Sequence, residues 1–361
     1  MNYLYYNICL RITIADNIRF DRCSSIHIEE SVEVLSNHAK VELPRQFRNA
    51  IDNVGKSVNI SGRSILNFMK KGDSIKIEFG YDGDLQTEFE GYITSVGADI
   101  PLVLECEDEM FQLKRAPRVT KFIKSGKLID IVKAVVPSKY TIECNIDYTI
   151  GQWLIEDATP HNVLDELREK AGIRAYFKNP TTLVVGMKID FKPERFDNYK
   201  MLFAIFSGTN PNINLDYAPK DLHYFNFDRN VRTGSDLVFK ESEKPYHLTV
   251  ESKQKNGTNL SLSKGEKGGN ETTIKLWSGL SKEELQKWLN ARFEVAISDG
   301  FDGSLNGWCY PRTRAGDSAI ILRPYYKDKH QDGIYFIESV TIDVNGSDGI
   351  LRQNRLSYKL T

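Results

Sequence analysis

An alternation of apolar and polar residues over positions 71–113 constrains the fold of this chain more than any other feature. Single polar residues separate apolar ones such as Ile75 and Ile77, and the alternation returns after each break. The breaks carry Gly, Asp or Pro, which turns favour. This pattern predicts an antiparallel β-meander with one buried face, which begins at the turn Gly72-Asp73.

The same order of features occurs once more, over positions 314–360. A Gly-Asp pair again precedes a strand, and a glycine again opens a strand that ends on Ser-Val. The landmark glycine follows the aspartate by 18 residues in the first copy and 16 in the second (91 − 73 and 333 − 317). We interpret this as a weak internal duplication of a small β-barrel, with two unrelated meanders as the alternative. The residues predicted to launch the two barrels are Gly72, Asp73, Gly91, Gly316, Asp317 and Gly333.

Charge balance and cysteine usage argue against several classes of function. The 361 residues include 48 Lys and Arg against 49 Asp and Glu, a formal charge of −1, whereas a nucleic-acid-binding face needs a basic excess. The five cysteines are far apart and form no Cys-x-x-Cys, which is typical of a reducing compartment. Neither a secretory signal nor an apolar stretch of ~18 residues is present, so no membrane insertion is expected.

The order of strand and helix patterns predicts a mainly β protein with an α+β insertion. Its two related, small antiparallel β-barrels lie toward the two ends of the chain, and helical periodicity appears between them. The predicted divisions are a first barrel at 1–116, an α+β insert at 117–190, a second barrel at 191–252 and 300–361, and a polar loop with an amphipathic helix at 253–299.

Two helices in the middle of the chain have clear end signals. Thr159 is a candidate N-cap followed by proline at the first helical position, and Gly172 ends the apolar pattern. Ser281 opens a capping box, and the helix that it begins ends before Gly300. Residues 253–272 are almost all polar, which predicts a loop or the tip of a long hairpin.

Residues capable of catalysis or metal binding do not form a motif. The six histidines are scattered, and none lies at the spacing of a zinc site or a His-Glu-x-x-His helix. In the densest acidic run, Glu105 and Glu107 are expected to share the strand face opposite Cys106, which fits a solvated edge or a polar lumen. We therefore predict no catalytic residue, no metal site and no cofactor, and expect that the protein is not an enzyme.

Seven segments along nearly the whole chain carry a likeness to a known family. They are Asn37–Pro44, Lys71–Ile77, Glu90–Ile93, Glu105–Lys114, Thr159–Leu167, Arg314–Asp317 and Gly333–Val340. No single segment is specific, but in this order they together resemble the bacteriophage contractile-tail baseplate hub family, which includes late control protein D and the hub half of type VI secretion spike proteins.

The resemblance implies a structural hub protein that forms a homotrimer. Two barrels from each of three chains would then form a pseudo-six-fold ring that adapts a trimeric spike to a hexameric tail tube. The sequence ends at Thr361 just after the second barrel, so the spike is expected to be a separate polypeptide. The implied partners are this spike, the tube protein and wedge proteins, with DNA only as passing cargo. The implied location is the tail baseplate of a virion or an injection device, assembled in the bacterial cytoplasm.

Two other functions remain open at this point. One is a tail-associated cell-wall hydrolase or endopeptidase, which would need carboxylates or histidines that converge only in the folded chain. The other is a β-rich receptor- or carbohydrate-binding tail module. Such a module would expose Tyr and Trp at its binding surface. The 17 Tyr and 4 Trp of this chain are instead spread through predicted strands and helices and do not cluster in loops, which makes this function the weaker alternative.

Overall fold

Antiparallel strands make up most of the chain, as the sequence predicts. The structure is a computed structural model that describes residues 7–16, 18–44, 49–52, 57–59, 69–97, 101–144, 146–187, 221–225, 231–241, 246–322 and 330–360. Residues 188–220 lie outside the described residues, and with them the predicted boundary between the insert and the second barrel.

The described residues of the first part of the chain form nine strands and a short helix. Its strands alternate buried and outward-facing residues, so that in the strand that follows Gly72-Asp73 the side chains of Ile75, Ile77 and Phe79 are buried. The elements are β1 (Ile8–Ile14), β2 (Ile18–Phe20), β3 (Ser25–Ser31), β4 (His38–Leu43), β5 (Asn49–Asp52), β6 (Ser57–Asn59), β7 (Ser74–Tyr81), β8 (Gln86–Val96), β9 (Leu102–Glu107) and α1 (Met110–Arg115).

The middle of the chain mixes short strands with two helices. Thr159 caps the second of these helices, with its hydroxyl accepting from Asn162 N, and Gly172 ends it in the left-handed conformation, as predicted. The elements are β10 (Val119–Ile123), β11 (Gly126–Lys127), α2 (Leu128–Val135), β12 (Thr141–Glu143), β13 (Thr149–Ile150), β14 (Trp153–Ala158), α3 (Pro160–Ala171), β15 (Arg174–Asn179) and β16 (Thr182–Gly186).

The described residues of the last part of the chain add ten strands and one helix. The predicted capping box at Ser281 is present, because Ser281 Oγ accepts from Glu284 N while the Glu284 carboxylate accepts from Ser281 N. The elements are β17 (Leu222–Phe225), β18 (Val238–Lys240), β19 (Tyr246–Lys253), β20 (Asn259–Gly265), β21 (Asn270–Lys275), α4 (Lys282–Ala296), β22 (Gly300–Asp302), β23 (Ser304–Gly307), β24 (Ser318–Ile321), β25 (Gly333–Asn345) and β26 (Gly349–Lys359).

One 16-stranded sheet joins the two ends of the chain. Its main path runs β18-β22-β26-β25-β3-β4-β9-β8-β7-β1-β2-β5-β6, with β23 beside β26 and with β24 between β25 and β17. The link between early and late strands is the antiparallel pair β3 and β25, which runs from Ser31 opposite Ser339 to Ser25 opposite Asn345. Apolar side chains from both ends of the chain therefore share one core.

A second core holds the α+β part of the chain, and its extent differs from the sequence prediction. Of the two alternatives for residues 253–272, the structure has the hairpin: β19 and β20 form a long antiparallel hairpin with its tip at residues 254–258, and β21 pairs with β19 on the other side. Leu248 and Val250 of β19 pack in this second core with Leu285 and Trp288 of α4, although the sequence placed residues 246–252 in the second barrel. The polar residues of β20 and β21 face solvent, because this sheet is covered on one side only. Their composition therefore resembles that of a loop.

Candidate functional site

The two Gly-Asp turns make the same hydrogen bonds. Gly72 N donates to Ile93 O at 2.8 Å and Ile93 N donates to Asp73 O at 2.9 Å, whereas Gly316 and Ile337 make the corresponding bonds at 2.9 Å each. In both turns the aspartate carboxylate accepts from the backbone N–H three residues before it, at 2.9 and 2.8 Å. Both glycines have a positive φ, +95° and +93°, which a residue with a side chain adopts at a cost.

The strands that follow these turns pair in the same register. Ser74 lies opposite Tyr92 and Ser318 lies opposite Phe336, so the partner is 18 residues away in both copies (92 − 74 and 336 − 318). The landmark glycines of the sequence are therefore not equivalent. Gly91 lies opposite Ile75, whereas Gly333 lies two pairs farther from its turn, opposite Ile321. The difference between the predicted spacings of 18 and 16 arises from this mismatch.

Five strands follow the same course in each half of the sheet. We call β3, β4, β7, β8 and β9 the first unit, and β18, β22, β24, β25 and β26 the second unit. In space the first unit runs β3-β4-β9-β8-β7 and the second β18-β22-β26-β25-β24, every neighbouring pair being antiparallel. Both also shift register at the same place, between Ile93 and Ser95 and between Ile337 and Ser339. Matching chain order, strand order and register favour the duplication over two unrelated meanders.

A buried charged cluster lies where the two units meet. Glu88 of the first unit and Arg352 of the second are both fully buried, with 3.0 Å between Glu88 Oε2 and Arg352 Nη2. Arg312 Nε lies 3.1 Å from the other carboxylate oxygen of Glu88. Arg352 Nη1 also donates to Thr313 O at 2.9 Å. The carboxylate is thus held between two guanidinium groups from the late part of the chain.

Arg314 extends this cluster to a second carboxylate. It pairs with Glu30 and donates to the carbonyl oxygens of Thr87 and Glu88, the latter two at 2.5 Å. Burial raises the pKa of Glu30, and the charge of Arg314 opposes that shift. Burial lowers the pKa of Arg314, but the charges of Glu30 and Glu88 outweigh it and raise that pKa. Such buried pairs tolerate the loss of one partner poorly.

A β-bulge explains why Glu88 points inward. The β7–β8 register changes so that Phe89 opposes Ile77 while Thr87 opposes Glu78, which leaves Glu88 as the extra residue. Both Glu88 and Phe89 are consequently buried although they are neighbours in a strand. Sequence alternation cannot show such a shift. The sequence does contain the signal of its partner, because Arg352 occupies the apolar phase of β26 between Ile350 and Leu356.

A histidine connects the two units at the surface. His27 Nδ1 lies 2.7 Å from Asp343 Oδ1 across the β3–β25 pair, and His27 Nε2 lies 3.0 Å from Glu29 Oε1. Although burial lowers the pKa of His27, the hydrogen bonds and charges of Asp343 and Glu29 outweigh it and raise that pKa. His27 is therefore a cross-strand contact within the sheet.

The acidic run that begins in β9 differs from the solvated edge that the sequence suggests. Glu105 is exposed, but Glu107 is buried and pairs with Lys114, because α1 folds back over the end of the strand. Burial raises the pKa of Asp108 to about 8, and its Oδ2 has no hydrogen-bond partner among the described residues. Within the same residues, no group of three or more His, Cys, Asp and Glu side chains could hold a metal ion. The described helices include none that is long and apolar enough to cross a bilayer.

Solved structures of phage tail proteins share this fold. A tail protein from Neisseria meningitidis MC58 matches with a TM-score of 0.62 at 13% identity, over 97% of this chain and 96% of that chain. The 43 kDa tail protein of prophage MuSo2 from Shewanella oneidensis matches with a TM-score of 0.60 at 13% identity, over 98% of both chains. Comparison with family models finds no match, and comparison with curated proteins finds none either.

A secretion-system protein has the same fold. It is an Escherichia coli component of the type VI secretion system that is described as structurally similar to the T4 bacteriophage tail proteins gp27 and gp5. The match has a TM-score of 0.54 at 9% identity, over 99% of this chain and 75% of that chain. The chain thus has the fold of phage tail proteins and of a related type VI secretion component. The predicted mainly β fold is confirmed, and the resemblance to the baseplate hub family is confirmed as a shared fold, whereas the trimeric ring stays a prediction.

Proposed function

We propose that this protein is a structural tail protein that forms the baseplate hub of a phage or of a phage-derived contractile injection system. Its fold is shared by tail proteins from two bacterial genomes and by a type VI secretion component. The observation that carries the proposal is the second unit, which repeats the strand order and register of the first. Three copies of a chain with two equivalent units can contact a three-fold partner on one side and a six-fold partner on the other.

In this proposal three chains form a ring of six units. Its partners are a separate spike polypeptide on one side and the tail tube protein on the other, with DNA only as passing cargo. The α+β part faces outward and meets wedge proteins. The exposed cross-strand pair Phe122 and Leu154, at 64% and 55% exposure, supports such a contact, because large apolar side chains on a two-stranded ribbon favour a protein partner.

The role of the protein is geometric, and no bond is made or broken. The buried acids Glu30 and Glu88 are paired with arginines inside the sheet, away from any substrate. A cell-wall hydrolase, the enzymatic alternative, would clear peptidoglycan in a zymogram. We expect no clearing by the purified protein, and clearing by the wild type would contradict the structural role.

Molar mass in solution tests the ring. One chain weighs 41.3 kDa, so a trimer is expected at about 124 kDa by light scattering after size-exclusion chromatography. Negative-stain images of that species should show a ring with six similar lobes around a central opening. A monomer that persists at micromolar concentrations would overturn the proposal.

A further inference from the structure

Two strand edges, one in each unit, have no neighbouring strand in the described chain. In the second unit, β18 pairs with β22 on one side and ends the path of the sheet on the other. In the first unit, β8 extends beyond the start of β7, so among the described residues the edge at 94–97 borders β9 alone. An open edge of this kind is a template for another strand.

The corresponding positions of the other unit are already joined. The strand that matches β8 is β25, and its extension beyond β24 pairs with β3. The strand that matches β18 is this same β3, because each is the outer strand in the order β3-β4-β9-β8-β7 or β18-β22-β26-β25-β24. The chain therefore shows, at one junction, how an outer strand of one unit docks on the central strand of the next.

Burial differs at the two junctions as expected if one of them is incomplete. Val340 of β25 is fully buried beneath β3, whereas Val96, at the same position of β8, is only partly buried. Val238 of β18 is 60% exposed, and its neighbour Phe239 packs only partly against the shared core. Both open edges thus carry apolar residues that a paired strand would cover.

We propose that β18 of one protomer pairs antiparallel with the edge of β8 at residues 94–97 in a second copy of this chain. This contact repeats between protomers the β3–β25 contact that lies within each protomer. It rests on the proposed ring and supplies its interface. Because the contact joins two different edges head to tail, successive copies close into a ring if the rotation allows.

The faces of the two strands fix the pairing to two registers. Phe239 must face the core, which leaves Lys240 on the outer face of the sheet. In β25 the outer-face residue Ser339 lies opposite Ser31 of β3, and the matching residue of β8 is Ser95. Lys240 of one protomer then lies opposite Ser95 of the next. The strand break at Gly303, between β22 and β23, also permits a register shifted by two residues. In that register Lys240 lies opposite Gly97 of the next protomer.

Cysteine cross-linking between two different variants tests this contact. A Lys240→Cys chain is mixed with a Ser95→Cys chain or a Gly97→Cys chain, oxidised and separated on a non-reducing gel. Directly opposed strand residues bring their Cβ atoms close enough for a disulfide. One of the two mixtures should give a covalent dimer, and a chain carrying both changes should give linked trimers.

Three controls calibrate the result. Ser31→Cys with Ser339→Cys in one chain should form an intramolecular disulfide, because these residues are directly opposed within the protomer. Lys240→Cys mixed with Val96→Cys should cross-link roughly tenfold less, because the Val96 side chain lies on the other face. The wild type, with its five free cysteines, measures the background.

The outcomes separate this contact from the ring itself. A trimer whose Lys240→Cys chain links to Ser95→Cys or Gly97→Cys supports both. A trimer that links to neither, while the Ser31–Ser339 control closes, overturns the strand pairing and leaves the ring intact. A monomer by light scattering overturns the proposed function and, with it, this interface.

Discussion

The two units have the same backbone pairing but fill it differently. In the first unit, Leu102 and Leu104 of β9 lie opposite Leu43 and Val41 in an apolar core. In the second, the equivalent positions of β26 hold Arg352 and Asn354, which are also fully buried. The difference shows that hydrogen-bond register survives a duplication while the residues that fill it change.

The polar residues of the second unit serve the contact between the units. Arg352 reaches Glu88 of the first unit, and Asn354 Nδ2 donates to Leu305 O at 3.2 Å. A leucine at position 352 would leave Glu88 without its fully buried partner. The charged cluster thus joins the two units through paired buried charges.

Replacing Arg352 with the residue found at the matching position of the first unit should be the most damaging change. Arg352→Leu leaves Glu88 buried without one of its guanidinium partners, and we expect a loss of about 3–5 kcal/mol in the free energy of unfolding. Chemical denaturation followed by circular dichroism measures it. Arg355→Leu, a side chain 55% exposed on the same strand, should change stability by less than about 0.5 kcal/mol.

The double change separates charge from shape. Arg352→Leu with Glu88→Leu removes both charges, so it should cost less than the sum of the two single changes, by about 1 kcal/mol or more. Additive single and double changes would show that Glu88 and Arg352 do not act as a pair.

Proline at matched valines compares the closed junction with the open edge. Val340→Pro removes a backbone donor within the β25–β3 sheet and should cost about 3 kcal/mol or more. Val96→Pro should cost the protomer less than about 1 kcal/mol, because Gly97 N bonds toward β9 and the N–H of Val96 therefore faces the open edge.

The two variants should also differ in what they change. For Val340→Pro, the thermal unfolding midpoint falls. For Val96→Pro, the far-ultraviolet circular dichroism should match that of the wild type. In light scattering, the trimer of this variant should begin to dissociate at a higher protein concentration than the wild-type trimer does. Equal destabilisation of the protomer by both changes would contradict the difference between the two edges.

Alanine at the two turn glycines is expected to have unequal effects. Each glycine has a positive φ, which costs a residue with a Cβ about 1–2 kcal/mol. A Cβ at Gly316 would also lie 2.6 Å from Tyr176 Oη, whereas the nearest atom to one at Gly72 is Arg115 Nη1 at 3.7 Å. Gly316→Ala should therefore lower the unfolding midpoint more than Gly72→Ala. Gly346→Ala, which has open space around it, is the control, and equal midpoints for the two turn variants would refute the comparison.

Much of the fold was readable in the sequence because local signals determine it. The Gly-Asp turns, the buried phase of β7 and the caps of α3 and α4 each depend on residues close together in the chain. The matching of the two copies was placed wrongly at Gly91 and Gly333, because a glycine in a strand does not mark a register position. The true equivalents, Tyr92 and Phe336, share aromatic character only.

The charged cluster was not readable in the same way. Glu88 is turned inward by a bulge, and its arginine partners come from residues more than 200 positions later. A charged residue in a strand ordinarily indicates the solvent face, so residue type alone does not show that Glu88 and Arg352 are buried. Polar residues on the apolar phase of β26 were the available sign of a long-range contact.

A buried carboxylate distinguishes the end of the first unit. Burial raises the pKa of Asp108 to about 8, so between its unfolded value of about 3.9 and that pH the folded chain holds a proton that the unfolded chain releases. Wild-type stability should therefore fall across this window as pH rises. In the wild type, Met110 N donates a hydrogen bond to Asp108 Oδ1 at 3.0 Å. Asp108→Asn keeps an oxygen that can accept this hydrogen bond and removes the charge. Relative to the wild type it should gain stability as pH rises from 5 to 8.5 in denaturation curves, while the exposed control Glu169→Gln should show no such gain. An Asp108→Asn curve that falls with pH as steeply as the wild type would show that this carboxyl is ionised throughout.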